Sequence, residues 1–132
     1  MAEIPAGFLD LLTQKAPLAH LATLQPDGSP QVTPVWFDYT NGVIRVNTAE
    51  GRVKARNLSV GSKVALSIVD PDNAYRYIQI RGKVSKETKD GADAHIDSLA
   101  KRYLGKDTYP FRSEKEVRVM YEITPAATHT MG

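Results

Sequence analysis

Short apolar runs separated by tight turns are the feature that most constrains how this chain can fold. The segments QPDGSP (25–30), TNG (40–42) and PDNA (71–74) contain the Pro, Asp, Asn and Gly residues that form such turns. The run after the third turn, residues 75–87, alternates between two faces as a half-buried strand does. Strands joined by tight turns run in opposite directions, so the pattern predicts an antiparallel sheet.

The same pattern extends over most of the chain and predicts six strands with three short helices. The strands are predicted at residues 18–24, 31–39, 43–48, 62–70, 75–87 and 116–124. The helices are predicted at residues 4–15, 51–59 and 90–105. Pro34 inside the second strand indicates a sheet edge, a bulge or a position that faces a ligand. The last residues, PAATHTMG, are expected to be flexible. The predicted fold class is mainly β with short helices, arranged as a small closed or partly closed barrel.

Size and composition bound the remaining possibilities. With 132 residues the chain is expected to form one domain, 1–132, that is large enough to bury a core. It has no cysteine, which excludes disulfides and thiolate metal sites and fits a cytoplasmic protein. No apolar run is long enough to span a membrane and no signal peptide is recognised, so no membrane partner is expected. A net charge of +2 is too small by itself to indicate a nucleic-acid partner.

Positive charge is concentrated in the segment EGRVKARNL (50–58), which is predicted to be a short helix. On a helical wheel at about 100° per residue, Arg52 and Arg56 fall on one side and can face water. Lys54 falls on the apolar side, toward the sheet, where an unpaired ammonium would be costly. The wheel therefore predicts that Lys54 meets an anion.

A phosphate would suit this position. The start of a helix offers free backbone N–H groups and a partial positive charge, and Arg52 in the first turn could close over the same anion. The alternative is a solvated helix face, on which Lys54 extends outward and the arginines pair with Glu50 or with aspartates. Arg56 is expected to be solvated in either case.

Two segments carry a resemblance to a known family: LATLQPDGSPQVTPVWF (21–37) and the pattern T-x3-R-x-K-x2-N-L (48–58). Together with the strand pair VALSIVD and YIQIRGKV and the final EVRVMYEITP, they cover nearly the whole chain. The chain resembles the split β-barrel flavin-binding family that includes the pyridoxamine-phosphate oxidases. It is most similar to the actinobacterial branch that uses the deazaflavin coenzyme F420. The resemblance implies a six-stranded antiparallel split β-barrel, homodimeric, with the cofactor between the subunits.

The resemblance also implies which residues bind the cofactor. The strand QVTPVWF would line the ring system, and VNTAEGRVK would hold the ribityl phosphate. Asn57 would support the phosphate site, and Arg118 would reach it from the second subunit. The implied cofactor-binding residues are Gln31, Val32, Thr33, Pro34, Val35, Trp36, Asn47, Thr48, Arg52, Lys54, Asn57 and Arg118.

The implied function is that of an F420-dependent oxidoreductase, an F420H2-dependent reductase. Reduced F420 would transfer a hydride to a conjugated small-molecule acceptor of the enone, quinone or tetrapyrrole type. We find no protein nucleophile, metal site or catalytic side chain, and none is required where the cofactor carries the chemistry. An acidic oligoglutamyl tail, which F420 has and FMN lacks, could meet Arg52, Arg56 and Lys63. Pyridoxamine-phosphate oxidation is not expected, because the tail THTMG lacks the basic segment used for that substrate.

Several alternatives stay open from the sequence. The cofactor could be FMN in an oxidoreductase of the same fold, or the protein could bind a flavin, a deazaflavin or haem without turnover. A barrel that binds single-stranded nucleic acid would need aromatic and basic residues interleaved on one face, for which YRYIQIR (75–81) is the candidate. Trp36 could be a core residue, Thr33 an exposed strand residue and Arg118 part of a rim ion pair. The three histidines are expected to be structural or exposed.

Overall fold

The computed structural model describes residues 2–132, and a single curled antiparallel sheet dominates them. Its strands are β1 (Ala19–Leu24), β2 (Pro30–Val35), β3 (Phe37–Thr40), β4 (Val43–Ala49), β5 (Lys63–Asp70), β6 (Asn73–Thr88) and β7 (Arg118–Met131). The helices are α1 (Leu9–Thr13), α2 (Val53–Asn57) and α3 (Ala92–Leu104), and a short 3-10 helix (Ala6–Phe8) precedes α1. The prediction of a mainly β, antiparallel fold with short helices is confirmed.

Seven strands are present in the described chain, one more than predicted, because the predicted strand 31–39 divides at Trp36. The strand order is β2-β1-β5-β6-β7-β4-β3, so β2 and β3 are the two edges of the sheet. Only Trp36 separates these edges in the chain, which requires the sheet to curl until they approach each other. This is the geometry of a split barrel. Pro34 lies in β2, so its interpretation as an edge-strand proline is confirmed.

The C-terminal segment is a strand, and the expectation that it is flexible is wrong. Strand β7 continues to Met131, which pairs with Tyr77, and Thr128 pairs with Ile80. The physical reason is the length of β6, which has 16 residues. Without residues 125–131, the first part of β6 would present an unpaired edge of N–H and C=O groups.

Strand β7 also joins the two halves of the sheet. Its first residues pair with β4, from Arg118 opposite Ala49 to Ile123 opposite Ile44. The pairing between β6 and β7 shifts near Gly82, where a Cβ atom would collide with the carbonyl oxygen of Thr124. The bend of the long strand therefore requires glycine at this position.

The core fills the inside of the curled sheet. Ile78 and Ile80 from β6, Ile123 from β7 and Phe37 from β3 are all fully buried. Burying a side chain of this size contributes about 1.5–3 kcal/mol, so the inner face accounts for most of the stabilisation.

Helix α3 covers one side of the sheet and ends where the sequence predicts. Gly105 caps it in the left-handed conformation at φ 71°. The helix buries Ile96 and Leu99 and packs against β4 and β7, so it forms one wall of the site described below. In the part of the chain that the structure covers, no helix is long and apolar enough to cross a membrane.

Helix α1 is attached to the β5–β6 hairpin by a cluster of ion pairs, which we call the α1 cluster: Asp10, Lys15, Asp70, Asp72 and Arg76. Arg76 binds Asp10 at 2.6 Å and Asp70 at 2.9 Å, and Lys15 binds Asp70 at 2.7 Å and Asp72 at 2.9 Å. The contacts with Lys15 and Arg76 hold the pKa of the Asp70 carboxyl well below its usual value. Every cation in this cluster therefore has a carboxylate partner.

Candidate functional site

A cavity of about 250 Å³ opens where the edge strand β2 ends and α3 covers the sheet. We call it the site cavity. Its walls come from β2, β4, α2, α3, the start of β7 and the loop between α3 and β7. The lining residues are Leu18, Pro34, Val35, Trp36, Asn47, Arg52, Lys54, Ile96, Leu99, Tyr109, Phe111 and Arg118.

One end of the site cavity is cationic, with Lys54, Arg52 and Arg118 all lining it. Lys54 is half-buried, and within residues 2–132 its ammonium group has no hydrogen-bond or ion-pair partner. Burial lowers the pKa of Lys54, and the positive charges of Arg52 and Arg118 lower it further. An unpaired ammonium next to two guanidinium groups is a site that an anion would stabilise.

Arg118 is only 7% exposed, and polar contacts hold its side chain in place. Its Nε donates a hydrogen bond to Asn47 Oδ1 at 2.8 Å, and its Nη1 lies 3.2 Å from Glu116 Oε2. The other oxygen of Glu116 accepts a hydrogen bond from Arg52 Nη2 at 3.0 Å. One carboxylate therefore bridges two arginines, while Lys54 beside them stays unpaired.

Aromatic residues beside these cations form what we call the aromatic end, and the two groups meet where the Arg118 guanidinium lies over the Tyr109 ring, 5.3 Å from its centroid. Trp36 stacks on Tyr103 with ring centroids 5.3 Å apart and planes 4° apart, and Tyr109 meets Trp36 edge-on at 6.1 Å. Tyr109 also packs against Phe111, which is 68% exposed at the mouth of the cavity. Tyr103 is fixed because its hydroxyl donates a hydrogen bond to Pro17 O at 2.7 Å. These rings offer flat surfaces suited to a planar ligand.

The helix of the EGRVKARNL segment is shorter than predicted: α2 covers five residues and not 51–59. One turn has too small a dipole to support the expected contribution of a helix start to phosphate binding. The side-chain directions follow the helical wheel, since Lys54 faces the site cavity and Arg56 is exposed. Arg52 is also exposed, as the wheel predicts, and it lines the cavity as well and pairs with Glu116 and not with Glu50.

Seven of the twelve predicted cofactor residues lie in this one cavity. They are Pro34, Val35, Trp36, Asn47, Arg52, Lys54 and Arg118. Arg118 reaches the cavity from its own chain, because β7 pairs directly with β4, so a second subunit is not needed to bring it there. Trp36 is only half-buried and faces the cavity, so it is not simply a core residue.

The other five predicted residues do not line the site cavity. Thr23 accepts a hydrogen bond from Asn57 Nδ2 at 3.1 Å and contacts Gln31 Oε1 at 3.3 Å, so these residues tie α2 to β1 and β2. Thr48 is buried, and Val32 is exposed on the outer face of β2. Thr33 is half-buried with its hydroxyl oxygen enclosed, so it is not the exposed strand residue of the alternative interpretation.

Sequence reasoning missed Tyr109 and Phe111 of the aromatic end, and Tyr103 behind it. The first two lie in the loop KDTYPFRS, where two aromatic residues among polar ones are the signal that could have identified them. The loop is held by Asp97 of α3, which accepts hydrogen bonds from the Tyr109 backbone N–H at 2.8 Å and from Arg112.

Two other surfaces are weaker candidates. A larger concavity of about 380 Å³ lies on the outer face of β1, β5 and β6, but its lining is mostly aliphatic, with Lys63 and Arg81 at its rim. In the YRYIQIR segment, Arg76 lies on the side of the strand opposite to Tyr75 and Tyr77 and is occupied by Asp10 and Asp70, so it adds no charge to the aromatic face that a nucleic acid would need. Across residues 2–132, no group of three His, Cys, Asp or Glu side chains is arranged to hold a metal ion.

The comparisons with known proteins agree with this fold. A solved structure of an F420 reductase is 37% identical, has a TM-score of 0.82 and aligns over 96% of this chain and 98% of that chain. A FAD and haem binding protein from Mycobacterium smegmatis is 20% identical with a TM-score of 0.70, covering 98% of this chain and 71% of that chain. A putative pyridoxamine 5'-phosphate oxidase from Listeria innocua is 17% identical with a TM-score of 0.67, covering 94% of each chain. The last two likenesses show the fold alone. A search of curated protein sequences finds no match.

The curled antiparallel sheet with its edges brought together defines a protein of the split β-barrel class. The sequence profile of the pyridoxamine 5'-phosphate oxidase family matches residues 8–132, nearly the whole chain. The chain belongs to the pyridoxamine 5'-phosphate oxidase family, and the resemblance seen in the sequence is confirmed.

Proposed function

We propose that this protein is an F420-dependent oxidoreductase that transfers a hydride from reduced F420 to a conjugated small-molecule acceptor. One observation carries the proposal: a single cavity is lined both by the unpaired, half-buried Lys54 and by the aromatic side chains of Trp36 and Tyr109. A ligand with a phosphate at one end and a planar ring system at the other could pair with Lys54 and pack against the aromatic residues at the same time. The 37% identity to an F420 reductase favours a deazaflavin as that ligand.

The residues have separate tasks in this proposal. Lys54, Arg52 and Arg118 bind the phosphate, and the side chains of Pro34 and Trp36 orient the rings and exclude water. When bound, the deazaflavin supplies the hydride. In this proposal the balancing proton comes from solvent.

The oligoglutamyl tail of F420 would leave the cavity past Arg52, which is 47% exposed at the cationic end. Lys63 lies in the outer concavity of the sheet and not in the site cavity of its own chain. Of the three basic residues expected to meet the tail, Arg52 is therefore the one that lines the site cavity.

The proposal includes a homodimer with the site between subunits. The site cavity measures about 250 Å³ in one chain, which is less than the roughly 300–1,000 Å³ typical of cavities that enclose a whole ligand. A second copy could supply the missing wall. The outer face of the sheet exposes Leu24 and Val32 beside its aliphatic concavity, which fits contact with another copy. Light scattering at micromolar concentration would show a dimer, and a monomer would contradict this part of the proposal.

The decisive experiment is a fluorescence titration of the purified protein with F420 and, in parallel, with FMN. Low-micromolar or tighter binding of F420 with weak binding of FMN would support the deazaflavin proposal. The opposite preference would favour the alternative of an FMN oxidoreductase that uses the same phosphate site. Binding of neither would contradict both.

Turnover needs its own experiment. The protein loaded with reduced F420 would be mixed with an enone, a quinone and a tetrapyrrole such as biliverdin, and reoxidation of the cofactor would be followed. Reoxidation faster than that of free reduced F420 would support an enzyme. If no acceptor reoxidised the bound cofactor faster than the free cofactor, the result would favour a carrier that binds the cofactor without turnover. A cytoplasmic location is part of the proposal and would be checked by cell fractionation.

A further inference from the structure

His95 is a buried polar residue next to the site cavity whose role the proposed function does not explain. It lies in α3, is 4% exposed and does not line the cavity itself. Its Nδ1 lies 3.1 Å from Asn47 Nδ2, and its Nε2 lies 3.3 Å from Asp38 Oδ2. Burying an imidazole between two polar side chains is costly unless its contacts are used.

The far side of Asp38 is fixed by an arginine. Arg45 donates two hydrogen bonds to Asp38, from Nε and from Nη2, each 2.7 Å long. Burial would raise the pKa of Asp38, but the contacts with His95 and Arg45 outweigh it and hold the pKa below its usual value. Asp38 is therefore a carboxylate, and it can only accept a hydrogen bond from His95.

Two contacts that do not involve His95 identify which amide atom of Asn47 is the oxygen and which is the nitrogen. Its Nδ2 donates to the carbonyl oxygen of Ala92 at 2.8 Å, which can only accept. Its Oδ1 accepts from Arg118 Nε at 2.8 Å, which can only donate. Turning the amide over would break both bonds and place like groups against each other.

The proton position on His95 follows from its two neighbours. Because Asn47 points an N–H at Nδ1, Nδ1 must be unprotonated and accept. Because Asp38 is a carboxylate, the ring proton belongs on Nε2, which faces it. The hydrogen-bond directions then agree from His95 through Asn47 to Arg118. On the other side of the ring, Nε2 lies 3.3 Å from the Asp38 carboxylate without forming a well-directed hydrogen bond.

We propose that His95 is a positioning residue for the site cavity: it holds the Asn47 amide in the orientation that aims Arg118 at the bound anion. The proposal rests on the proposed function for the identity of that anion, but the link between His95 and Arg118 exists in the free protein. Without the acceptor at Nδ1, Asn47 keeps one of its two N–H partners and can rotate. Arg118 then loses the fixed partner of its Nε.

The first test needs no ligand. A long-range ¹H–¹⁵N correlation spectrum of the ¹⁵N-labelled wild-type protein at neutral pH distinguishes protonated from unprotonated ring nitrogens. We expect one fixed form for His95, with the proton on Nε2, and the exposed His20 and His129 serve as internal controls. A proton on Nδ1 of His95 would overturn the proposal.

The second test compares two replacements at the same position. His95→Leu removes the acceptor, whereas His95→Asn can place an amide oxygen close to the position of Nδ1. We expect the Arg118 Nε–H signal to shift or broaden in His95→Leu and to be largely restored in His95→Asn. F420 or FMN affinity should fall about tenfold in His95→Leu, the size of one lost hydrogen bond to a charged group, and recover in His95→Asn.

The outcomes separate this inference from the proposed function. An unchanged Arg118 signal in folded His95→Leu, or His95→Asn behaving like His95→Leu, would overturn the positioning role. If the wild-type protein bound neither F420 nor FMN, the proposed function would fail, yet the proton position and the Arg118 signal would still decide the role of His95. Should His95→Leu not fold, the wild-type spectrum and the Arg118 signal of His95→Asn remain decisive.

Discussion

The α1 cluster and the cationic end of the site cavity use the same kinds of residue in opposite ways. In the α1 cluster, Arg76 and Lys15 are each bound to two carboxylates. In the site cavity, Arg52 and Arg118 share one carboxylate, Glu116, and Lys54 has no partner in the described chain.

The difference shows how to tell a structural charge cluster from a binding site. A cluster in which every cation has carboxylate partners stabilises the fold and leaves no unpaired cation for an anionic ligand. A half-buried cluster with surplus charge raises the free energy of the free protein, and a bound anion would recover that free energy. The direction of the pKa shifts agrees, since contacts raise the pKa of Lys15 whereas burial lowers the pKa of Lys54.

The largest expected effect is on ligand binding at Lys54. Lys54→Ala should weaken F420 or FMN binding at least about tenfold, because a charged hydrogen bond contributes about 1.5–3 kcal/mol. Its melting temperature should not fall, because the residue removed is an unpaired cation. Arg56→Ala is the matched control, because Arg56 is exposed and lies two residues away in the same helix. This variant should change affinity less than twofold. Equal losses in the two variants would contradict the distinction drawn between them.

In the α1 cluster, a substitution is expected to lower stability and to leave ligand affinity unchanged. Arg76→Ala removes the partner of the buried Asp70 and the link to Asp10, so the melting temperature should fall clearly. Affinity for F420 or FMN, measured on the folded protein, should be unchanged. A large loss of affinity without a loss of stability would mean that the α1 cluster also serves the site.

The α1 cluster should also make the stability of the protein depend on pH in the acid range. The contacts with Lys15 and Arg76 lower the pKa of folded Asp70 below the ordinary aspartate value of 3.8, so the stabilisation is complete above that value. It is lost progressively as the pH falls from about 4 toward the lower folded-state pKa. Denaturant unfolding at several pH values would measure this, and Asp70→Asn should flatten the curve below pH 5. An equally steep curve in that variant would assign the acid sensitivity elsewhere.

The smallest effect is expected at Glu116, the one carboxylate that joins the two arginines of the site cavity. An incoming anion must compete with it for Arg52 and Arg118. Glu116→Gln should therefore tighten FMN binding by about twofold to fivefold, the range of a partly exposed ion pair. Isothermal titration would measure the change, and weaker binding in this variant would show that Glu116 assists the ligand and does not compete with it.

The sequence predicted the sheet well because turn residues and alternation are local signals. It failed at Trp36, where the chain leaves one sheet edge and joins the other. Val35 and Phe37 are both buried, so the hydrophobic pattern gives no sign that the chain changes its pairing strand between them. Val35 pairs with β1, whereas Phe37 pairs with β4. It also failed at residues 125–131, whose strand conformation depends on the distant β6 and not on their own polar composition.

The site was predictable to the extent that its residues lie in short segments. Lys54 was identified from helical periodicity, and the resemblance supplied Trp36 and Arg118. Asn47 and His95 are far apart in sequence, and no spacing rule relates a strand residue to a helix residue across β4 and α3. Their contact became visible only when both elements were packed together.

The position of β7 has a consequence for how the protein is made. It is the last strand to be synthesised among the seven described, yet it lies between β6 and β4. A ribosome-bound chain that has completed α3 can form β2-β1-β5-β6 and β3-β4 only as separate sheets, each with an open edge. Until Arg118 and the residues after it emerge, the growing chain has neither a continuous sheet nor a complete anion site. The nascent protein must therefore keep two unpaired strand edges apart from the completion of β6 at Thr88 until β7 emerges.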